Sequence, residues 1–521
     1  MLFRQTPPPW EEVRRRSGKA DVFTHTIDQK MEEAMTLMTG QQYKDSIGNL
    51  KLNLYCFGEK IENQLEHPIT APAIEAVALT YDLAHDPEYQ DKITTTSHIT
   101  GERINYFTHL YQSGDDFVTR LDLMRDLARR HGMCAGARCV SGNIANGLDS
   151  VTFEMDRKLG TNYHEKFRAY WEKVQREDLS VAGYITDPKG DRSKRPGQQA
   201  DPDAYIRIVE EKKDGIVVRG AKVLISGASI AHEALIMPTR GVGEDERAYA
   251  LAFAVPTDTP GLTLLHQLPT PDFRRLTPGA HGMDFGNERY GVYNLSQIFF
   301  DDVFVPWDRV FMCGEHEFTG PLVGRVAPTF RCVTSACKCG HRDLLLGGSS
   351  VMADYNGVGK AGHIREKLSE MSFESELSYG CLLGATQKGY ETESGNFFPD
   401  PLYANVGKYQ ASKALWFCAR MGVDMSGGLV MSMHTEKDME HPELGPLIEK
   451  YFKANPEVPT KNRMKMMRLM EYLTGIGNIL VAESSQGGAP TASQQLVVNV
   501  EMRKLIEEAK IRVLELAGIE K

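Results

Sequence analysis

Tyr205-Ile-Arg-Ile-Val209 and Ile216-Val-Val-Arg-Gly-Ala-Lys-Val-Leu-Ile225, linked through Lys212-Lys-Asp-Gly215, are the stretch on which the reading of the fold turns. β-branched residues fill both runs and the link ends in glycine, so the stretch predicts a β-hairpin. Upstream the period is different. Apolar residues recur at spacings of three and four at Met31, Ala34, Met35 and Met38, at Ile74, Val77, Ala78, Tyr81 and Ala84, and at Leu121, Leu123, Met124, Leu127 and Ala128. That is the pattern of packed amphipathic helices. Thr161 and Asn162 are candidate N-caps for a further helix through Phe167, Tyr170, Trp171 and Val174. Downstream of the hairpin, Tyr249–Val255, Leu262–Leu268 and Gln297–Val305 read as strands between proline-rich turns. Beyond Cys313 the helical period returns, interrupted at Asn396–Pro401 and around Ser484–Pro490.

The expected class is therefore α+β: a solvated leader over 1–20, an all-helical domain over 21–179, a β-domain over 180–315 and a helical bundle over 316–521. Three consecutive prolines, Pro7 to Pro9, keep the leader out of a helix. A chain of 521 residues has ample volume to enclose a cofactor, and its net charge of −10 argues against nucleic acid or an anionic membrane as partner. No run of eighteen apolar residues occurs, and no apolar segment follows Arg14–Arg16 as in a signal peptide, so a cytoplasmic protein acting on a small molecule is expected.

Nine cysteines, an odd count with irregular spacing, favour reduced thiols or metal ligands over a disulfide framework. Three of them crowd into Arg331-Cys-Val-Thr-Ser-Ala-Cys-Lys-Cys-Gly340, around Lys338, and two more lie in Met133-Cys-Ala-Gly-Ala-Arg-Cys139. In each stretch two cysteines stand five residues apart, Cys134 with Cys139 and Cys332 with Cys337. In a regular α-helix that separation turns the side chains about 140° apart. A helix break or π-bulge, at Gly136 and at Val333–Thr334, would realign them. The histidines show no paired metal spacing, and Cys56, Cys313, Cys381 and Cys418 stand alone.

Thr186-Asp-Pro-Lys-Gly-Asp-Arg192, Gly160-Thr-Asn-Tyr-His164, Ile216-Val-Val-Arg-Gly-Ala-Lys222, Ala353-Asp-Tyr-Asn-Gly357 and the Cys337-Lys338 pair resemble the 4-hydroxybutyryl-CoA dehydratases, relatives of the 4-hydroxyphenylacetate 3-monooxygenases. The resemblance runs from about Met35 to near the C-terminus. It implies an acyl-CoA dehydrogenase-like fold, FAD, a [4Fe-4S] cluster held by three cysteines and a histidine, a CoA thioester substrate, and a homo-oligomer, dimer or tetramer. Position by position it places cluster cysteines at Cys139 and Cys337 and active-centre residues at Lys338 and Glu483. Elsewhere the sequence departs. The family's first cysteine falls at Ala135, beside Cys134, and its histidine at Phe330, near Cys332; a tyrosine falls at Thr334 and a glutamate at Leu295.

Two readings of the thiols stay open. One is an all-cysteine [4Fe-4S] site made by Cys134, Cys139, Cys332 and Cys337, with Cys339 as a substitute; the other is a decayed site of small buried hydrophobes. Ser226 and Gly227 are expected to meet a flavin edge, against a plain turn. Thr186, Asp187, Pro188, Asp191 and Arg192 are expected to form a cofactor loop, against an ordinary Asp-Pro loop. Glu483 is a candidate base, against a cap, and Lys338 a substrate- or cluster-facing cation, against a surface lysine. The leading expectation is a flavin-dependent lyase or isomerase dehydrating a hydroxyacyl-CoA. The alternatives are a reduced-flavin-dependent aromatic monooxygenase and a catalytically silent flavin- or CoA-binding protein.

Overall fold

The computed structural model describes residues 37–134, 136–188, 190–267, 270–475, 487–488 and 490–519. The expected helix through Met31, Ala34 and Met35, and the candidate base Glu483, lie outside the described residues. The N-terminal part runs α1 (Gly40–Gly48), β1 (Leu54–Cys56), β2 (Glu59–Lys60), α2 (Ala71–Asp82), α3 (Gln90–Ile93), β3 (Thr94–Thr96), β4 (Arg103–Asn105), α4 (Gly114–His131), α5 (Gly136–Cys139), α6 (Ser141–Leu159) and α7 (Tyr163–Arg176). It is mainly helical but not all-helical, because β1 and β2 leave it to join the central sheet.

Local chemistry sets the helix ends. α4 starts where Ser113 Oγ accepts from the Asp116 amide, carries Asp115 and Asp116 in its first turn and Arg129, Arg130 and His131 in its last, and stops at Gly132 in the left-handed region. Those charges oppose the helix dipole at both ends, and glycine tolerates the stop. α7 is capped differently from the sequence expectation. Asn162 is its N-cap residue but makes no side-chain cap, and Thr161 Oγ1 donates to Asp156 at 2.6 Å. Asp156, on α6, accepts from the amides of Tyr163 and His164 at 2.8 and 2.9 Å, so the preceding helix supplies the cap.

The β-rich middle contains β5 (Val181–Tyr184), β6 (Arg207–Glu211), β7 (Gly215–Ser226), β8 (Glu233–Ile236), β9 (Leu251–Pro256), β10 (Leu262–Gln267), β11 (Leu295–Pro306) and β12 (Val310–Cys313). The hairpin is β6–β7, antiparallel, with Glu211 opposite Ile216. One sheet has the order β2-β1-β10-β11-β7-β6 and the other β12-β9-β8-β5. Two pairings are parallel, β1 with β10 and β5 with β8.

The C-terminal part comprises α8 (His316–Tyr355), α9 (Gly362–Gln387), the ribbon β13 (Tyr390–Glu391) and β14 (Phe397–Phe398), α10 (Pro401–Ser426), α11 (Glu436–Glu440), α12 (Leu444–Tyr451), α13 (Thr460–Thr474), α14 (Thr491–Glu501) and α15 (Arg503–Leu516). α8 is the spine. Its 40 residues stay α-helical through Pro321 and Pro328 and pack against α4, α6, α9, α10 and α13. A large core joins the N-terminal helices, the sheets and the first half of α8, while a second, methionine-rich core holds its later turns against α10 and α13.

Candidate active site

A cavity of about 290 Å³ opens where the sheets, α5 and α8 meet. One wall is the end of β5 and the residues after it (Gly183, Ile185, Thr186) with the end of β7 (Leu224, Ile225, Ser226). A second is Cys134, Cys139 and Val140, and a third is the α8 stripe Val323, Val326, Ala327, Phe330, Arg331, Thr334 and Cys337. Gly487, Gly488 and Pro490 close the remaining side.

The β wall is shaped by a bulge. Between the pairs Ser296–Ile225 and Ile298–Lys222, β7 spends two residues, Val223 and Leu224, against Gln297 alone. Leu224 takes a φ of +56°, a conformation unfavourable for a leucine, and the Val223 amide donates to the Thr186 carbonyl at 2.8 Å. Bulges of this kind re-aim side chains beside functional sites. Behind the wall, the buried Lys222 ammonium donates to Asp187 at 2.6 Å and to the carbonyls of Ile185 and Met237 at 2.7 and 3.0 Å. That pair ties the expected cofactor loop to β7. Of the loop residues, Thr186 lines the cavity and Asp187 is held by Lys222 behind it, whereas Asp191 and Arg192 are exposed and reach no part of it.

α5 is clamped to β7 backbone against backbone. A Cβ on Gly227, whose φ is +76°, would lie 2.2 Å from the Ala137 nitrogen, and one on Gly136 would lie 2.5 Å from Ser226 Cβ. Only glycine at both positions allows this approach. The approach carries Cys139 to the cavity beside Ser226.

The structure treats the two cysteine pairs differently. The chain is not helical at Cys134, and α5 begins only at Gly136, so the first pair is realigned and both thiols line the cavity. α8 has no bulge at Val333–Thr334, so Cys332 keeps its 140° offset from Cys337. Cys332 is fully buried in the core away from the cavity, its thiol pushed up by burial and further by Asp400. Of the four expected cluster cysteines, Cys134, Cys139 and Cys337 line the cavity and Cys332 does not. Among the described residues no three His, Cys, Asp or Glu side chains converge on a point where one metal ion could be held. With Cys332 off that cavity, the residues present do not fit the four-cysteine set.

Lys338 is wholly buried, donating to the Thr334 carbonyl at 3.2 Å, which overturns the surface-lysine alternative. Cys339 lies off the cavity, accepting from the Arg342 guanidinium at 2.9 Å. Thr334, where the resemblance places a tyrosine, donates to Phe330 and Gly487 carbonyls, both at 2.9 Å. Leu295 sits in the methionine-rich core. Two residues went unassigned in the sequence: Lys222, readable in principle as a charge inside an apolar strand, and Arg331, for which no sequence signal says that it faces a cavity.

The fold is acyl-CoA dehydrogenase-like, with helices before and after a β-rich middle. Residues 39–312 match the family described as 4-hydroxyphenylacetate 3-hydroxylase N terminal, and residues 320–516 its C-terminal counterpart. The chain belongs to this family. Within it, the chain is 38% identical over 488 residues to a 4-hydroxybutyryl-CoA dehydratase/vinylacetyl-CoA-Delta-isomerase from Clostridium aminobutyricum, covering 91% of this chain and 99% of that one. It is 28% identical over 443 residues to the oxygenase component of a 4-hydroxyphenylacetate 3-monooxygenase from Thermus thermophilus, covering 84% and 88% of the two chains. Among solved structures, an oxygen-tolerant archaeal 4-hydroxybutyryl-CoA dehydratase from N. maritimus superposes with a TM-score of 0.89 at 36% identity, over 93% of this chain and 96% of that one. No helix among the described residues is long and apolar enough to cross a membrane.

Proposed function

We propose that this enzyme is an FAD-dependent lyase/isomerase that dehydrates a hydroxyacyl-CoA. The observation that carries the reading is the cavity that gathers Cys134, Cys139 and Cys337 beside Thr186 and Ser226, in a chain 38% identical along its length to a dehydratase of that kind. The largely apolar slot with hydroxyls on the β wall suits the polar edge of a flavin ring, and the three thiols suit an iron–sulfur group. When bound, these groups supply one-electron chemistry for loosening an unactivated β-hydrogen and a Lewis-acidic iron for the leaving hydroxyl.

The chain's own residues do the rest. Thr334 and Arg331 hold Gly487 and Gly488 against α8 at the cavity's edge. Lys338, buried, donates to the Thr334 carbonyl one turn away beside the cavity, and Glu483 is the base that takes the substrate proton. Dehydration breaks one C–H and one C–O bond and forms C=C and water, with no net redox change. The assembly is a dimer or tetramer in the cytoplasm; α15 buries none of its residues and presents Leu505, Ile506, Val513 and Leu516, which supports a partner copy.

The apolar Phe330 and Leu295 at family ligand and acid positions favour a second reading, a reduced-flavin-dependent aromatic monooxygenase. Anaerobically prepared protein incubated with 4-hydroxybutyryl-CoA decides between them. Loss of water to an unsaturated thioester, falling about 100-fold in Glu483→Gln, is the expected result. No thioester turnover, with oxygen-dependent hydroxylation of 4-hydroxyphenylacetate by added reduced FAD, would overturn it.

A further inference from the structure

Arg331 is a cation buried against the cavity without a counter-charge among the described residues. It is 9% exposed and lines the cavity beside Thr334 and Phe330. Its Nε donates to the Gly488 carbonyl at 3.0 Å and its Nη1 to Asn405 Oδ1 at 2.8 Å, both neutral acceptors. Among the described residues no carboxylate lies within ion-pair distance, and Nη2 makes no hydrogen bond. Burial depresses its proton affinity, with only the Cys332 thiol acting the other way. Of the other deeply buried arginines among the described residues, Arg138 pairs with Asp178 at 2.7 Å, while Arg120 and Arg342 also donate to uncharged acceptors, the Cys139 carbonyl for the one and the Ala411 carbonyl and Cys339 thiol for the other; unlike Arg331, neither of these two lines the cavity.

Keeping an uncompensated guanidinium out of water is costly, and the cost falls only when an anion arrives. Two neutral acceptors fix the plane of the group and leave Nη2 for a ligand. The β wall opposite carries Thr186 and Ser226, so a ligand oxygen at Arg331 lies on the α8 side, with Cys337 and Thr334, and not at the flavin edge assigned to the β wall.

We infer that Arg331 is the cavity's receptor for a ligand oxygen that gains negative charge, and that this oxygen is the thioester carbonyl oxygen of the acyl substrate. As the α-C–H bond breaks, its proton passes to a base and its electron pair delocalises onto that oxygen as an enolate. The guanidinium meets the charge without itself giving up a proton. This assignment rests on the acyl-thioester reading above.

The test uses the FAD-loaded enzyme under anaerobic conditions with butyryl-CoA, which can lose an α-proton but has no hydroxyl to eliminate. Exchange of its α-protons in D2O is followed by NMR, and its binding by the change in flavin absorption. Arg331→Gln keeps donors for Gly488 and Asn405 and removes the charge. Exchange should fall roughly ten- to hundred-fold, the worth of a charge-assisted hydrogen bond, with FAD content and the ligand-free flavin spectrum unchanged. Arg331→Lys should recover part of it. Exchange within about threefold of the unaltered enzyme in Arg331→Gln, or a changed flavin spectrum with unchanged exchange, overturns the assignment and leaves the thioester reading standing. An unaltered enzyme that neither binds nor exchanges butyryl-CoA removes the thioester reading and this role with it. Should Arg331→Gln not fold, acetoacetyl-CoA bound to the unaltered enzyme at neutral pH decides. Enolate absorption is expected, and its absence overturns the assignment.

Discussion

Gly227→Ala measures how much of the cavity depends on the backbone contact between β7 and α5. At a φ of +76° the alanine must hold a left-handed conformation, which costs about 1–2 kcal/mol for a residue with a Cβ. Its Cβ would also sit 2.2 Å from the Ala137 nitrogen and 2.6 Å from its Cα, backbone atoms that cannot swing aside. Overpacking of that kind adds roughly 1–3 kcal/mol, for a total of about 2–5 kcal/mol. Gly160→Ala isolates the first part, because Gly160 has a φ of +70° and nothing within 4 Å of an added Cβ. Urea unfolding followed by tryptophan fluorescence should therefore show Gly227→Ala losing at least twice as much stability as Gly160→Ala. It should also bind less FAD, since α5 moves off Ser226. Equal losses in the two variants, with full FAD content in both, would refute the claim that the glycine contact positions this wall.

Breaking the buried Lys222–Asp187 pair with Lys222→Met should cost about 3–5 kcal/mol in the same assay, and adding Asp187→Asn should recover part of it; no recovery would show that the pair itself is not the cause. Iron analysis of anaerobically reconstituted protein should show occupancy lost in Cys134→Ser, Cys139→Ser and Cys337→Ser and kept in Cys332→Ser, because Cys332 does not line the cavity. Acid should destabilise the fold through buried histidines. His131 is lowered to about 3, and His232 and His266 to about 4, chiefly by burial. Unfolded histidine takes a proton below about 6.5 while these stay neutral, so their contribution is complete above pH 6.5 and is lost as pH falls toward 4. His266, buried with neither ring nitrogen hydrogen-bonded among the described residues, is the cleanest probe. His266→Leu should flatten the acid limb of stability against pH by about one proton, roughly 1.4 kcal/mol per pH unit, and an unchanged slope would contradict this.

The hairpin β6–β7 was legible because its alternation and its glycine turn are local. β5 and β8 were not, since four wholly buried residues leave no alternation to read. β1 was missed because its partner lies far along the chain. The α7 cap was assigned to the wrong side chain because Asp156 belongs to the preceding helix and reaches forward only through the turn at Gly160. In the candidate site, the five-residue cysteine spacing correctly posed the question of a helix break. Its answer depended on packing: Gly136 sits against Gly227, while α8 is held straight by neighbours on every side. Arg331 was quoted in the sequence but carried no signal, because an arginine in a helix says nothing of what its face meets.

The parallel pairing of Leu54 with Leu264 also bears on how the chain is made. β1 leaves the ribosome some 210 residues before the strand it pairs with, an interval of roughly 10–40 s at ordinary rates of synthesis. Through that time its backbone donors and acceptors have only the two-residue β2 beside them. A gene fragment ending before β10 would release a chain whose β1 edge stays open to any other strand, and one beginning after β2 would bare the matching edge of β10. The sheet is closed by the two ends of a long segment of chain, so neither the helical N-terminal part nor the β-rich middle can be cut out with its edges covered.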